Sequence, residues 1–167
     1  MTSIPEYPLA QVIDIKKRRV DQAEKALREK ERLLEEEKKK LKKAEEERDK
    51  VKEHRNAKLL QIRNYVDTEG MNPEKVLQMK SYLEIVKEKL LVEEEKVKKQ
   101  KENVETAKKN VEEAQKFLKE KEQEVEKLET HRKEWTKEAL KEVQMKEASE
   151  LDEIGSIMFL KKLRDKK

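Results

Sequence analysis

Thr68-Glu69-Gly70-Met71-Asn72-Pro73 decides the fold of this chain, because it is where the helical punctuation sits. Gly70 suits the left-handed position that follows a helix C-terminus. Asn72 reads as an N-cap with Pro73 at the first helical position. Upstream, Pro5 and Pro8 close an extended tail, and nothing breaks the helical pattern from Pro8 to Asp67. The reading is therefore a tail over 1–7, a helix over 8–67, a turn over 68–72 and a second helix over 73–165. At 1.5 Å per residue the first helix is about 90 Å long.

Apolar residues run on seven-residue tracks on both sides of this turn. Before it come Ile13, Val20, Leu27, Leu34, Leu41, then Arg48, Arg55 and Ile62; after it come Val76, Leu83, Leu90, Val97, Val104, Val111, Leu118 and Val125. A period of 3.5 residues keeps a narrow stripe against a partner helix. Of 167 residues, 49% are charged, 34% are hydrophobic and two are glycine, which excludes an ordinary globular core. Disorder explains the charge but not an unbroken heptad. The fold class is all-α, a long antiparallel two-helix coiled-coil hairpin with a C-terminal helical overhang.

A fold-back centred on Gly70-Met71 brings together residues whose numbers sum to about 141. Leu27 then faces Ala114, Leu34 faces Ala107, Ala23 faces Leu118 and Ala44 faces Val97, so large meets small in each layer. Val51 meets Leu90, Ile62 meets Met79, Tyr65 meets Val76, Ile13 meets Leu128, and Arg48 meets Glu93 as a charged pair. In the mixed layers, Val20 with Lys121 and Val104 with Glu37, the long side chain lays its methylenes along the seam. A parallel dimer uses the same heptads but does not explain the mirrored layers.

Three surpluses remain. Leu9 pairs near Arg132, so the second helix from about 133 has no partner. It carries Trp135, Leu140, Val143, Leu151, Ile154, Ile157, Met158, Leu160 and Leu163, with its stripe slipped one position. An unpaired apolar face of this kind marks a protein contact, against fraying or self-association as the bland alternative. Gly155-Ser156 is a place for that helix to kink or end. Beside the turn, Leu59, Leu60, Ile62, Tyr65 and Val66 face Val76, Leu77, Met79, Tyr82, Leu83, Ile85 and Val86. One seam cannot bury them all, and Leu60, Tyr82 and Ile85 are the ones expected on a surface unless the seam widens. At the open end stand Lys16, Lys17, Arg18 and Arg19, with Glu122, Glu124 and Glu126 across from them. They form either a solvated face or a site for an acidic protein surface. Lys161, Lys162, Arg164, Lys166 and Lys167 add a second basic patch.

Chemistry is sparse. Without cysteine there is no thiolate metal site. His54 and His131 stand isolated and far apart, and no nucleophilic triad or phosphate loop appears. An enzyme, a cofactor and a metal are not expected. Neither is nucleic-acid binding, because no aromatic residue interleaves the basic cluster and the net charge is only +4. The longest apolar run, Ile157-Met158-Phe159-Leu160, is short of a membrane span, and no secretory leader is legible. A cytoplasmic protein, monomeric when free, is expected.

The opening residues Tyr7-Pro8-Leu9-Ala10-Gln11-Val12-Ile13-Asp14-Ile15-Lys16-Lys17-Arg18-Arg19-Val20-Asp21-Gln22-Ala23-Glu24-Lys25-Ala26-Leu27 resemble the start of the YscO/FliJ family of bacterial type III secretion proteins. The injectisome branch is the nearer of the two. The resemblance implies a small cytoplasmic helical hairpin that is a central stalk of the hexameric secretion ATPase. It also implies contact with the export gate and binding of secretion chaperones or the needle-length regulator. On this chain Lys16, Lys17, Arg18 and Arg19, with Trp135, Leu140, Val143, Leu151, Ile154 and Met158, would face the ATPase. Leu60, Tyr65, Tyr82 and Ile85 would meet the export gate. A homodimeric coiled-coil scaffold and a prefoldin-like chaperone arm are the rival readings.

Overall fold

In a computed structural model, residues 5–68 and 72–164 are described. They form two α-helices, α1 over Ala10–Thr68 and α2 over Pro73–Arg164, which pack against each other as an antiparallel hairpin. Gly70, Met71, Lys166 and Lys167 lie outside the described residues, and so does the turn assigned to Gly70. Its far side is visible: the Asn72 side-chain oxygen accepts the Glu74 N–H at 3.2 Å, and the Asn72 carbonyl accepts the Val76 N–H at 3.1 Å. Asn72 is therefore the N-cap, Pro73 opens the helix, and Glu74 adds a negative charge to the first turn. Lys161, Lys162 and Arg164 complement the other end of the dipole. Helix α1 starts two residues later than expected. The Ala10 N–H bonds the Tyr7 carbonyl at 3.1 Å, which puts Pro8 in a turn.

The chain divides into two compact units, residues 25–115 and residues 1–24 with 116–167. In the first, α2 buries Leu83, Val86, Leu90, Glu93 and Val97, spaced three and four apart, and then Val104 and Val111 at intervals of seven, as a heptad seam requires. On α1 the half-buried residues include Leu27, Leu34, Glu37, Leu41, Ala44, Arg48, Val51, Arg55, Ile62 and Tyr65, the stripe read from the sequence. The pairing follows the antiparallel rule that positions just outside the seam meet their equivalents. Glu45 and Lys101, each one residue past a seam position, approach to 3.8 Å. On the opposite flank His54 Nε2 lies 3.1 Å from the Tyr82 hydroxyl.

Two polar layers differ from expectation. The Gln100 amide donates to Glu37 at 2.5 Å and to its carbonyl at 3.1 Å, so Glu37 is held by hydrogen bonds and does not merely lie along Val104. The Arg48–Glu93 pair is not formed. Arg48 turns outward to Asp49 at 2.8 Å, and Lys96, one turn along the same helix, takes Glu93 at 2.8 Å. Local partners satisfy both charges without ordering long side chains across the seam. One oxygen of Glu93 stays buried without a hydrogen bond. That leaves the layer a weak point of the pairing.

In the second unit Ile13 is 2% exposed and Ala23 4%, both buried on the α1 side. Lys121 turns along its own helix: it bonds Glu124 at 2.7 Å and lies 5.2 Å above the Phe117 ring. α2 then runs through Gly155-Ser156 as unbroken helix, so it does not end there. A Cβ on Gly155 would meet nothing within 4 Å.

Candidate protein-binding surfaces

Four consecutive cations on a helix point in different directions, and the structure sorts them accordingly. Lys16 bonds Glu124 at 2.5 Å and Lys17 bonds Glu129 at 2.7 Å. Glu129, not Glu122 or Glu126, is the second partner because Lys17 and Glu129 occupy equivalent positions flanking the seam. Arg18 and Arg19 are exposed and carry no ion pair among the described residues. The free charge of the cluster is thus reduced to two arginines.

Glu124 is held by Lys121 and Lys16 together, and their hydrogen bonds bring its carboxyl down to about 2. A carboxyl whose folded value lies below its unfolded one stabilises the fold above the unfolded value and loses that contribution as pH falls. The thermal midpoint is therefore expected to drop on acidification from pH 4.5 towards 2. In Glu124→Gln that drop should be smaller, with a lower midpoint at pH 7. An unchanged acid limb measured by circular dichroism would rule the pair out as a contributor.

Within the N-terminal segment one side chain is anchored. Tyr7 is 5% exposed. Its hydroxyl lies 2.6 Å from His131 Nδ1, its ring centroid is 5.7 Å from that of His131, and the Trp135 ring meets it edge-on at 5.4 Å. Neither histidine is isolated: His131 holds Tyr7, and His54 holds Tyr82 with ring centroids 6.1 Å apart. Trp135 is half-buried and Ala139 buried, so the bare helix does not begin at 133. Burying a ring of this size contributes ~2–3 kcal/mol, the aromatic pair about 1 and the hydrogen bond about 1. Ordering Glu6, Tyr7 and Leu9 costs roughly 1–2 kcal/mol each, the flanking prolines being restricted already. Those terms nearly cancel, so the attachment is one the chain can release.

Beyond Val143, which is half-buried, every described residue from Gln144 to Arg164 is exposed. Leu140, Leu151, Ile154, Ile157, Met158, Phe159, Leu160 and Leu163 are among the exposed large apolar residues, with Leu151 and Met158 each 68% exposed. Around Leu151–Leu163 the apolar side chains circle the helix, a pattern that belongs to a helix buried on all sides. Nearer the turn, Leu60, Tyr82 and Ile85 are exposed, while Tyr65 is half-buried with the Lys75 ammonium 4.7 Å above its ring. Lys58 lies 5.4 Å from the Tyr82 centroid, and both line a groove of about 230 Å³ with Gln61, Ile62, Gln78 and Met79. The seam does not widen to cover the surplus.

The family model of YscO-like proteins matches residues 4–165, nearly the whole chain. The chain belongs to the YscO-like family. It is also similar to the structure of a YscO homologue, CT670, of Chlamydia trachomatis. The two share 47% identity at a TM-score of 0.90, over 98% of this chain and 99% of that one. Comparison with curated proteins finds no match. The family is the one to which the opening Tyr7–Leu27 pointed, and it associates the chain with type III secretion. No helix among the described residues is long and apolar enough to cross a membrane. None of them forms a group of three metal-ligating side chains.

Sequence reasoning missed Tyr7, although a signal existed. A tyrosine between Pro5 and Pro8 is a large side chain that the antiparallel register, with numbers summing to about 141, sets opposite residue 134, next to Trp135. His131 and Trp135, spaced four apart on one helix face, are the matching half.

Proposed function

We propose that this YscO-like protein is a non-enzymatic component of type III secretion. In this reading it is the central stalk of the hexameric secretion ATPase, links that ATPase to the export gate, and binds secretion chaperones or the needle-length regulator. The observation that carries the reading is the uncovered apolar helix Gln144–Arg164. A chain this charged has no reason to keep such a segment in water unless a partner surrounds it. Arg18 and Arg19, in the same unit and without ion pairs among the described residues, supply a charged margin for an acidic partner surface. Leu60, Tyr82 and Ile85 supply a separate contact for the export gate.

The purified protein is expected to bind the hexameric ATPase of its own secretion system. Reversing Arg18 and Arg19 to glutamate should weaken binding at least tenfold at low salt, with helicity unchanged. Absence of binding by the wild-type chain sinks the stalk. A stable dimer in light scattering would favour the scaffold, and suppression of aggregation of generic unfolded clients without ATPase binding would favour the chaperone arm.

A further inference from the structure

Trp135, Ala139 and Val143 stand four residues apart on α2, and the bare apolar segment with Leu151, Ile154 and Met158 follows two turns further along the same helix. Among the described residues, the ring that packs on Trp135 is that of Tyr7, whose neighbours Pro5, Glu6 and Pro8 are exposed. We propose that residues 5–9 are a removable strap lying on the near end of the partner-binding face, and that the partner of the C-terminal helix displaces it. In the free protein the near patch is covered at Trp135 by one aromatic side chain from the N-terminal segment. Tyr7 attaches the segment to α2 through its ring and one side-chain hydrogen bond, while its carbonyl keeps the Ala10 N–H at the start of α1. Pro5 and Pro8 are restricted in φ whether or not the segment is seated, so the order gained on seating is confined to Glu6, Tyr7 and Leu9. Closed, the strap shields an indole that would otherwise promote self-association. Open, it lengthens the face from Leu140 back to Trp135, a full turn and more.

The inference rests on the C-terminal segment being a partner-binding face, and the test separates the two. Trp135 is the only tryptophan in the chain, so its fluorescence reports the strap alone. In full-length Tyr7→Ala the emission should shift to longer wavelength and acrylamide quenching rise at least twofold, with the helical circular dichroism signal retained. His131→Ala, which keeps the ring contact and loses the hydrogen bond, should fall between. Adding the hexameric secretion ATPase should shift the wild-type emission, and Tyr7→Ala should bind about three- to tenfold more tightly than wild type. Unchanged quenching in Tyr7→Ala overturns the strap. A quenching change with equal or weaker ATPase binding overturns its competition with the partner. Loss of ATPase binding by the wild type defeats the stalk reading and the competition with it, while the fluorescence change still identifies the strap.

Discussion

A chain cut after Val143 is expected to melt within a few degrees of the full-length protein and to lose binding to the secretion ATPase, by a hundredfold or more. The two halves of that expectation come from the same fact. Every described residue from Gln144 to Arg164 is exposed, so the truncation removes no buried residue from the described fold. What it removes is the run Leu151, Ile154, Ile157, Met158, Phe159, Leu160 and Leu163, each at least half exposed. Burying a side chain of this size is worth ~1.5–3 kcal/mol. Engaging even three of them exceeds the 2.8 kcal/mol or so that corresponds to a hundredfold change in affinity. Differential scanning calorimetry and a binding isotherm on the same preparation check both halves. A collapse of the melting temperature would mean the segment folds back in solution, and undiminished ATPase binding would place the contact elsewhere.

Leu90→Ala should cost about 2–4 kcal/mol of unfolding free energy, whereas Leu91→Ala should change it by less than about 0.5 kcal/mol. The two leucines are neighbours in sequence, have the same helix propensity and differ in one respect. Leu90 is 4% exposed at a seam position between Val86, Glu93 and Val97, and Leu91 is 65% exposed. The Leu90 layer lies one helical turn from the buried, half-satisfied carboxylate of Glu93. A cavity there is not easily refilled, because a neighbouring side chain that moves to fill it deprives the next layer. Urea unfolding followed by circular dichroism measures both variants. Equal effects would mean that the heptad seam does not govern stability.

Both expectations draw on features that were legible to different degrees. Val76 through Leu128 could be assigned to a buried or half-buried stripe from spacing alone, since a 3.5-residue period leaves one face for a partner. The fold-back followed from Gly70-Met71-Asn72-Pro73 and the mirrored layers, and Asn72 caps α2 as its identity requires. The exposure of Leu60, Tyr82 and Ile85 could be read by counting, because two helices offer one seam. Arg48 with Glu93 went differently, because facing positions give proximity while ion pairing is settled by the nearest reachable charge. Asp49 and Lys96 were nearer. Trp135, expected bare, is half-buried for a comparable reason. The count assumed that only helix covers helix, and a non-helical tyrosine covers Trp135.

Periodicity, capping residues and composition, all local or repeating properties, were enough by themselves to determine a two-helix hairpin, its register and the apolar excess of its longer arm. The tertiary structure alone decided which charges meet and which residue lies over Trp135. Side-chain pairing depends on reach and rotamer in three dimensions, and a segment without a period carries no signal of where it docks. Tyr7 and His131 are 124 residues apart in the chain and 2.6 Å apart in the fold. Only the antiparallel return of α2 brings them together.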